Sequence, residues 1–171
     1  MPLKLGVTDE PSFCVGGGLK ADAAFIDGVI WLHERTFLER EWNIQAEWLL
    51  THEILHAKIH VARMATQSWL GKRRLGILEL AARDALWLTH STPALAQLSA
   101  LLVKYRETGL DDAEEALVRV LQLLDVNDEV PVTPMLLRAR RLLNQPWGWS
   151  PLKMFRTVLW LPVCAWTVRF R

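Results

Sequence analysis

The sequence predicts an α+β fold: a small N-terminal β-sheet, then a long helix carrying a His-Glu-x-x-His motif, then a mainly helical C-terminal half. Three observations predict it. Residues 23–33 are two short β-prone apolar runs on either side of Asp27-Gly28, a dipeptide that favours a two-residue hairpin. From about residue 43 onward, apolar residues recur at helical spacing. Capping and breaking residues then divide the rest of the chain into helix-length pieces. A chain of 171 residues that is 51% hydrophobic can bury a sizeable core, which excludes global disorder.

Taken in order, residues 1–20 read as irregular, with Gly16-Gly17-Gly18 as a loop. No Lys-Ser/Thr pair follows those glycines, so they do not form a phosphate cradle. After the hairpin, residues 36–41 lead out of the sheet. The first helix starts near Asn43 and carries the apolar stripe Ala46, Leu49, Leu50, Ile54, Ala57 and Val61, ending around Ser68. A second helix is expected over 75–88, stopped before Pro93, and a third over 94–105, stopped by Gly109. Asp111 caps a fourth helix over 112–124, whose first turn is acidic and complements the helix dipole. A short basic helix follows over 134–143. Pro146-Trp147-Gly148-Trp149 reads as a turn, and Ser150 caps a last helix from Pro151 that Pro162 breaks or kinks. The expected division is a metal-binding core over 1–92 and a helical extension over 93–171.

Net charge is +1, but it is unevenly spread. Residues 1–129 hold 13 basic and 19 acidic side chains, whereas the remainder carries seven basic residues and no acidic one. With Trp147, Trp149, Trp160 and Trp166, the 130–171 region reads as a core helix, a protein assembly surface or a membrane-surface contact. Its apolar run over 157–168 is shorter than the roughly twenty residues a bilayer span needs. No recognisable nucleic-acid module accompanies the charge, so nucleic acid is not the expected partner. Cys14 and Cys164 make neither a metal-ligand spacing nor a disulfide framework, and no secretory signal opens the chain. A cytoplasmic protein is the expectation, with association to a virion as the variant.

The chemistry lies in Thr51-His52-Glu53-Ile54-Leu55-His56. Residues four apart share a helix face, so His52 and His56 can offer two imidazole nitrogens to one Zn²⁺ at about 2.0–2.1 Å. Glu53, slightly around the helix, is placed to take the proton of a water held at that metal. A catalytic zinc takes a third protein ligand. His60 continues the series, but lies about 12 Å along the axis from His52 and is turned by about 80°. Glu79, set among Ile77, Leu78, Leu80 and Ala81, is the first candidate, because a carboxylate facing an apolar interior needs a partner. Asp84 and His90 are the alternatives.

Residues 23–85 resemble the ImmA/IrrE-like metallopeptidase domain, a small zincin. The resemblance rests on the Asp27-Gly28 turn, the strand Val29-Ile30-Trp31-Leu32, and the helix with Leu50-Thr51-His52-Glu53-Ile54-Leu55-His56-Ala57. In that family the next helix supplies an acidic third ligand in a Glu-x-x-Ala-Asp-like context. Here the stretch is Glu79-Leu80-Ala81-Ala82-Arg83-Asp84, with the aspartate displaced by one position, which leaves Glu79 and Asp84 both open. The resemblance implies that Val29–His33 is the sheet edge and pairs with an extended peptide substrate. It also implies that zinc polarises the scissile carbonyl while Glu53 acts as general base. His33, His90 and Tyr105 are the candidate oxyanion donors. The expected function is a zinc-dependent metallopeptidase acting on protein or peptide. Two alternatives are a structural or assembly protein, of a phage particle or mobile element, that carries a zincin-like domain, and a binding module in which zinc only stabilises the fold.

Overall fold

The computed structural model describes residues 4–8, 13–15, 19–33 and 42–145. Five strands come first: β1 (Lys4–Thr8), β2 (Phe13–Val15), β3 (Leu19–Ala21), β4 (Ala23–Ile26) and β5 (Val29–His33). Asp27 (φ 51°) and Gly28 (φ 82°) both take the left-handed conformation of a primed two-residue turn, so the expected hairpin forms between β4 and β5. β1 adds to the other side of β5, parallel, giving the order β1-β5-β4, and β2 and β3 form a separate antiparallel pair.

Two expectations are corrected here. Residues 1–20 are not all irregular, since they contain β1, β2 and the start of β3. The strand β1 is short, and its Leu5 and Val7 remain 57% and 55% exposed, so their alternation with Lys4, Gly6 and Thr8 marks no buried face. Its backbone ladder to β5 holds it, and the Trp31 ring lies against Gly6, where an added Cβ would meet ring carbons at 2.6 Å. The second correction follows from the first. With β1 in place, β5 is the central strand, and β4 is the edge strand that packs on the motif helix.

The helices are α1 (Trp42–Met64), α2 (Trp69–Ser91), α3 (Ala96–Glu107, after a 3-10 turn over Pro93–Leu95), α4 (Asp112–Leu123) and α5 (Pro134–Leu143). Three starts are capped by side chains: Ser68 Oγ accepts from the Gly71 N–H (3.0 Å), Asp111 Oδ1 from the Glu114 N–H (3.0 Å) and Thr133 Oγ1 from the Leu136 N–H (3.1 Å). The Ser68 cap explains why α2 begins well before residue 75.

α1 buries two faces rather than one. Leu49, Leu50 and Ile54 pack on the sheet beside Ala23, Ile30 and Leu32. Leu55, Ile59 and Ala62 enter the main core, with Leu78, Leu117 and Leu136 among their neighbours in that cluster. The site lies on the strip between these faces. The main core runs continuously from Leu55 to Leu143, so the boundary expected after residue 92 falls inside it. No helix among the described residues is long and apolar enough to cross a membrane. The glycine loop at 16–18, the lead-out at 36–41, the turn and helix from Pro146 onward and Cys164 lie outside the described residues.

Candidate metal centre

α4 runs against the motif face of α1 in the opposite sense. Its residues are apolar on most sides, with Ala116, Leu117, Val118, Val120 and Leu121 all buried. A helix enclosed in this way must pair its polar side chains inward. Glu115 and Gln122, two turns apart on one face, are only 3% and 4% exposed.

The partners of α4 fix the histidine tautomers. The Gln122 amide nitrogen donates to the Trp48 carbonyl (2.9 Å), which turns its oxygen toward His52 Nδ1 at 2.9 Å. That oxygen can only accept, so His52 Nδ1 carries the proton and the neutral ring keeps its lone pair on Nε2. His56 Nδ1 faces the Glu114 carboxylate at 2.6 Å, which imposes the same tautomer. The two Nε2 atoms then converge. His52 Nε2 and His56 Nε2 are 3.2 Å apart, and Glu115 Oε2 lies 3.4 Å from the first and 3.2 Å from the second. Ligand atoms held tetrahedrally at about 2.05 Å from a zinc are about 3.3 Å from one another. The triangle therefore has the spacing of three zinc ligands, and His52, His56 and Glu115 are the metal-competent group among the described residues.

Outer contacts hold each of these groups. Arg119 Nε donates to Glu115 Oε1, leaving Oε2 for the cluster. Arg63 pairs with Glu114 and, at 3.0 Å, with Asp111, tying the end of α1 to the cap of α4. Such partners orient metal ligands and set their basicity. Burial alone would push His56 down, but hydrogen bonds to Glu114 and Glu115 outweigh it and raise its pKa to about 10, so near neutral pH the ring holds a proton on each nitrogen and a metal at Nε2 would displace one. Burial would raise Glu115, but His52, His56 and Arg119 hold it well below the usual carboxylate range. Glu53 is raised, chiefly by burial, with His52 and His56 partly offsetting it.

The cluster opens on a cleft of about 420 Å³ that Glu53 also lines. Its far wall is β4, through Ala23, Ala24 and Phe25. The His33 N–H donates to the Asp22 carbonyl at 2.8 Å, so in this ladder the backbone groups of Ala23 and Phe25 point away from β5. Phe25 uses its N–H on the Glu53 carboxylate. Tyr105 of α3 lines the cleft and hydrogen bonds with Glu115 and Arg119, while burial, then Glu115, raises its pKa.

The structure thus brings together His52, Glu53 and His56, but not Glu79. Glu79 is exposed on α2, whose buried face is formed by Leu78, Ala81, Ala85 and Leu88, and Glu115 stands where Glu79 was expected. Asp84 accepts a hydrogen bond from Thr133 Oγ1 (2.8 Å) at the start of α5, and the exposed His90 lies 3.0 Å from Ser99 Oγ. His60 is exposed with its ring edge-on to Phe25. Of the three candidate oxyanion donors, Tyr105 faces the cluster, whereas His33 is buried on β5 and is not among the cleft-lining residues. Sequence reasoning missed Glu115, Glu114 and Gln122, for which the polar strip of Asp112, Glu115, Arg119 and Gln122 along the otherwise apolar α4 was the available signal. The chain matches no protein-family model, no curated protein and no solved structure, so the reading of this site rests on its own geometry.

Proposed function

We propose that this chain is a zinc-dependent peptidase, with His52, His56 and Glu115 as metal ligands and Glu53 as general base. One observation carries the reading: two imidazole Nε2 atoms and one carboxylate oxygen converge at 3.2–3.4 Å beside a second buried carboxylate, at the bottom of a cleft. Three protein ligands with the remaining side turned to a cleft are the pattern of a catalytic site, whereas a structural zinc is closed by four. That favours catalysis over the binding-module reading.

When bound, zinc supplies Lewis acidity toward the scissile carbonyl and the attacking water. The remaining steps belong to the chain. Burial raises the proton affinity of Glu53, so its carboxylate can take the proton of the water and deliver it to the leaving amine. The Glu115 carboxylate stays ionised beside His52, His56 and Arg119. Gln122 and Glu114 keep both histidine Nε2 lone pairs aimed at one point. The Tyr105 hydroxyl, hydrogen bonded with Glu115, is a donor on the cleft wall beside this group. An extended peptide would pair with the outward backbone of β4, by strand addition to a sheet edge. The resemblance to the ImmA/IrrE-like domain supports this reading through the hairpin and the motif helix, with β4 in place of β5 as the pairing edge.

The test is Glu53→Gln, which preserves shape and the acceptor for the Phe25 N–H. Zinc content should remain at about one per chain, as in the wild type. Cleavage of a denatured protein or peptide library should disappear. Undiminished cleavage would rule out the proposed base.

A further inference from the structure

The two oxygens of the Glu115 carboxylate have different partners. Oε2 lies 3.4 Å from His52 Nε2 and 3.2 Å from His56 Nε2. Oε1 accepts from Arg119 Nε at 2.5 Å. Arg119 stands four residues beyond Glu115 on α4, so a single helical turn sets the pair. A second element braces it, because the Tyr105 side chain of α3 hydrogen bonds with both Glu115 and Arg119. The Glu115 side chain is 4% exposed and that of Arg119 32%, so the carboxylate end of the pair is shielded from water. Each of the three convergent groups thus has a partner of its own: Gln122 for His52, Glu114 for His56 and Arg119 for Glu115.

We propose that Arg119 is a positioning residue that holds Glu115 to ligation through one oxygen, and that it thereby makes the site select zinc over larger divalent cations such as manganese. The role rests on the ligand assignment above. The donor set alone does not choose the metal, since two imidazoles and one carboxylate serve four-coordinate zinc and also iron sites with several open positions. What separates the ions is the number of donors they take. Zinc is content with four, whereas manganese suits six, oxygen donors among them. A carboxylate with both oxygens free can chelate, which adds a donor and favours the ion of higher coordination number. In Glu115 the second oxygen is already held in a charge-assisted hydrogen bond. An ion that needed it would have to leave the Arg119 guanidinium without its carboxylate partner, in a site largely closed to water.

The test compares wild type, Arg119→Met and Arg119→Lys by chelator competition with zinc and with manganese, and by visible spectroscopy at saturating cobalt. Methionine keeps the bulk without the donor, and lysine keeps the charge and a donor for Oε1. The zinc-to-manganese affinity ratio should fall at least about tenfold in Arg119→Met and stay within about threefold of wild type in Arg119→Lys. The cobalt bands of Arg119→Met should weaken as Oε1 joins the ion and its coordination number rises, and those of Arg119→Lys should match the wild type. A purely structural role would lower metal content without changing either the ratio or the bands at saturation. Arg119→Leu removes the same donor and serves if Arg119→Met does not fold. X-ray absorption on the zinc-loaded wild type needs no variant and should show two imidazoles and a single carboxylate oxygen. A chelating carboxylate there, or a ratio and bands in Arg119→Met equal to those of wild type, would overturn the proposal. A wild type that takes up no divalent metal would remove it together with the metal centre. The expected changes in a chain that cleaves no peptide would keep the role of Arg119 and remove the peptidase reading. Cleavage with an unchanged ratio and unchanged bands would do the reverse.

Discussion

The wall of the cleft built by α1 and α4 carries His52, Glu53, His56, Glu114 and Glu115, each tied to another by hydrogen bond or charge. The wall built by β4 carries Ala23, Ala24 and Phe25 and offers mainly backbone. On the first wall, removing one member leaves a buried charge or lone pair without its partner, which costs several kcal/mol. On the second, neighbouring contacts are alike and each contributes about 1 kcal/mol. On the proposed function the helices would carry the chemistry and the strand would hold the substrate, and substitutions on the two walls should therefore differ in kind as well as size.

The largest expected effect is on the helical wall, where Glu53→Gln should lower kcat by about a thousandfold while KM and zinc content hold, measured on any peptide the wild type cleaves. Next are the groups behind the ligands. Gln122→Leu removes the acceptor for His52 Nδ1, and Glu114→Gln exchanges the carboxylate on His56 for a neutral amide. Each should weaken zinc affinity about 10–100-fold in competition with a chelator, with the fold intact by circular dichroism. The smallest effect belongs to β4. Ala23→Pro deletes one outward N–H from an edge strand, a position that tolerates proline. It should raise KM about fivefold and leave kcat and zinc unchanged, in line with one lost hydrogen bond. A kcat loss in that variant as large as that of Glu53→Gln would erase the distinction between the walls.

How much of this was readable along the chain depends on the distance over which each feature is decided. The Asp27-Gly28 hairpin, the Asp111 cap and α5 over Pro134–Leu143 are decided within a few residues and appear where the sequence places them. The pairing of His52 with His56 is decided by one helical turn. Glu115 is not a local feature, since it meets His56 across 59 positions. Glu79 was attractive because Leu78, Leu80 and Ala81 surround it in sequence, yet Leu80 is itself 49% exposed and shares the outer side of α2 with it. The burial of neighbours along a helix says little about one residue, because adjacent positions point about 100° apart. The edge strand was misplaced for a similar reason: whether β5 or β4 is outermost depends on β1, whose exposed Leu5 and Val7 carry no burial signature.

The central claim is the identity of the third ligand. Wild type, Glu115→Ala and Glu79→Ala should be loaded with zinc, freed of excess by gel filtration and assayed for metal per chain. The proposed site predicts about one zinc in the wild type and in Glu79→Ala, and its loss or at least tenfold weakening in Glu115→Ala. Full zinc retention by Glu115→Ala with loss from Glu79→Ala would contradict the account.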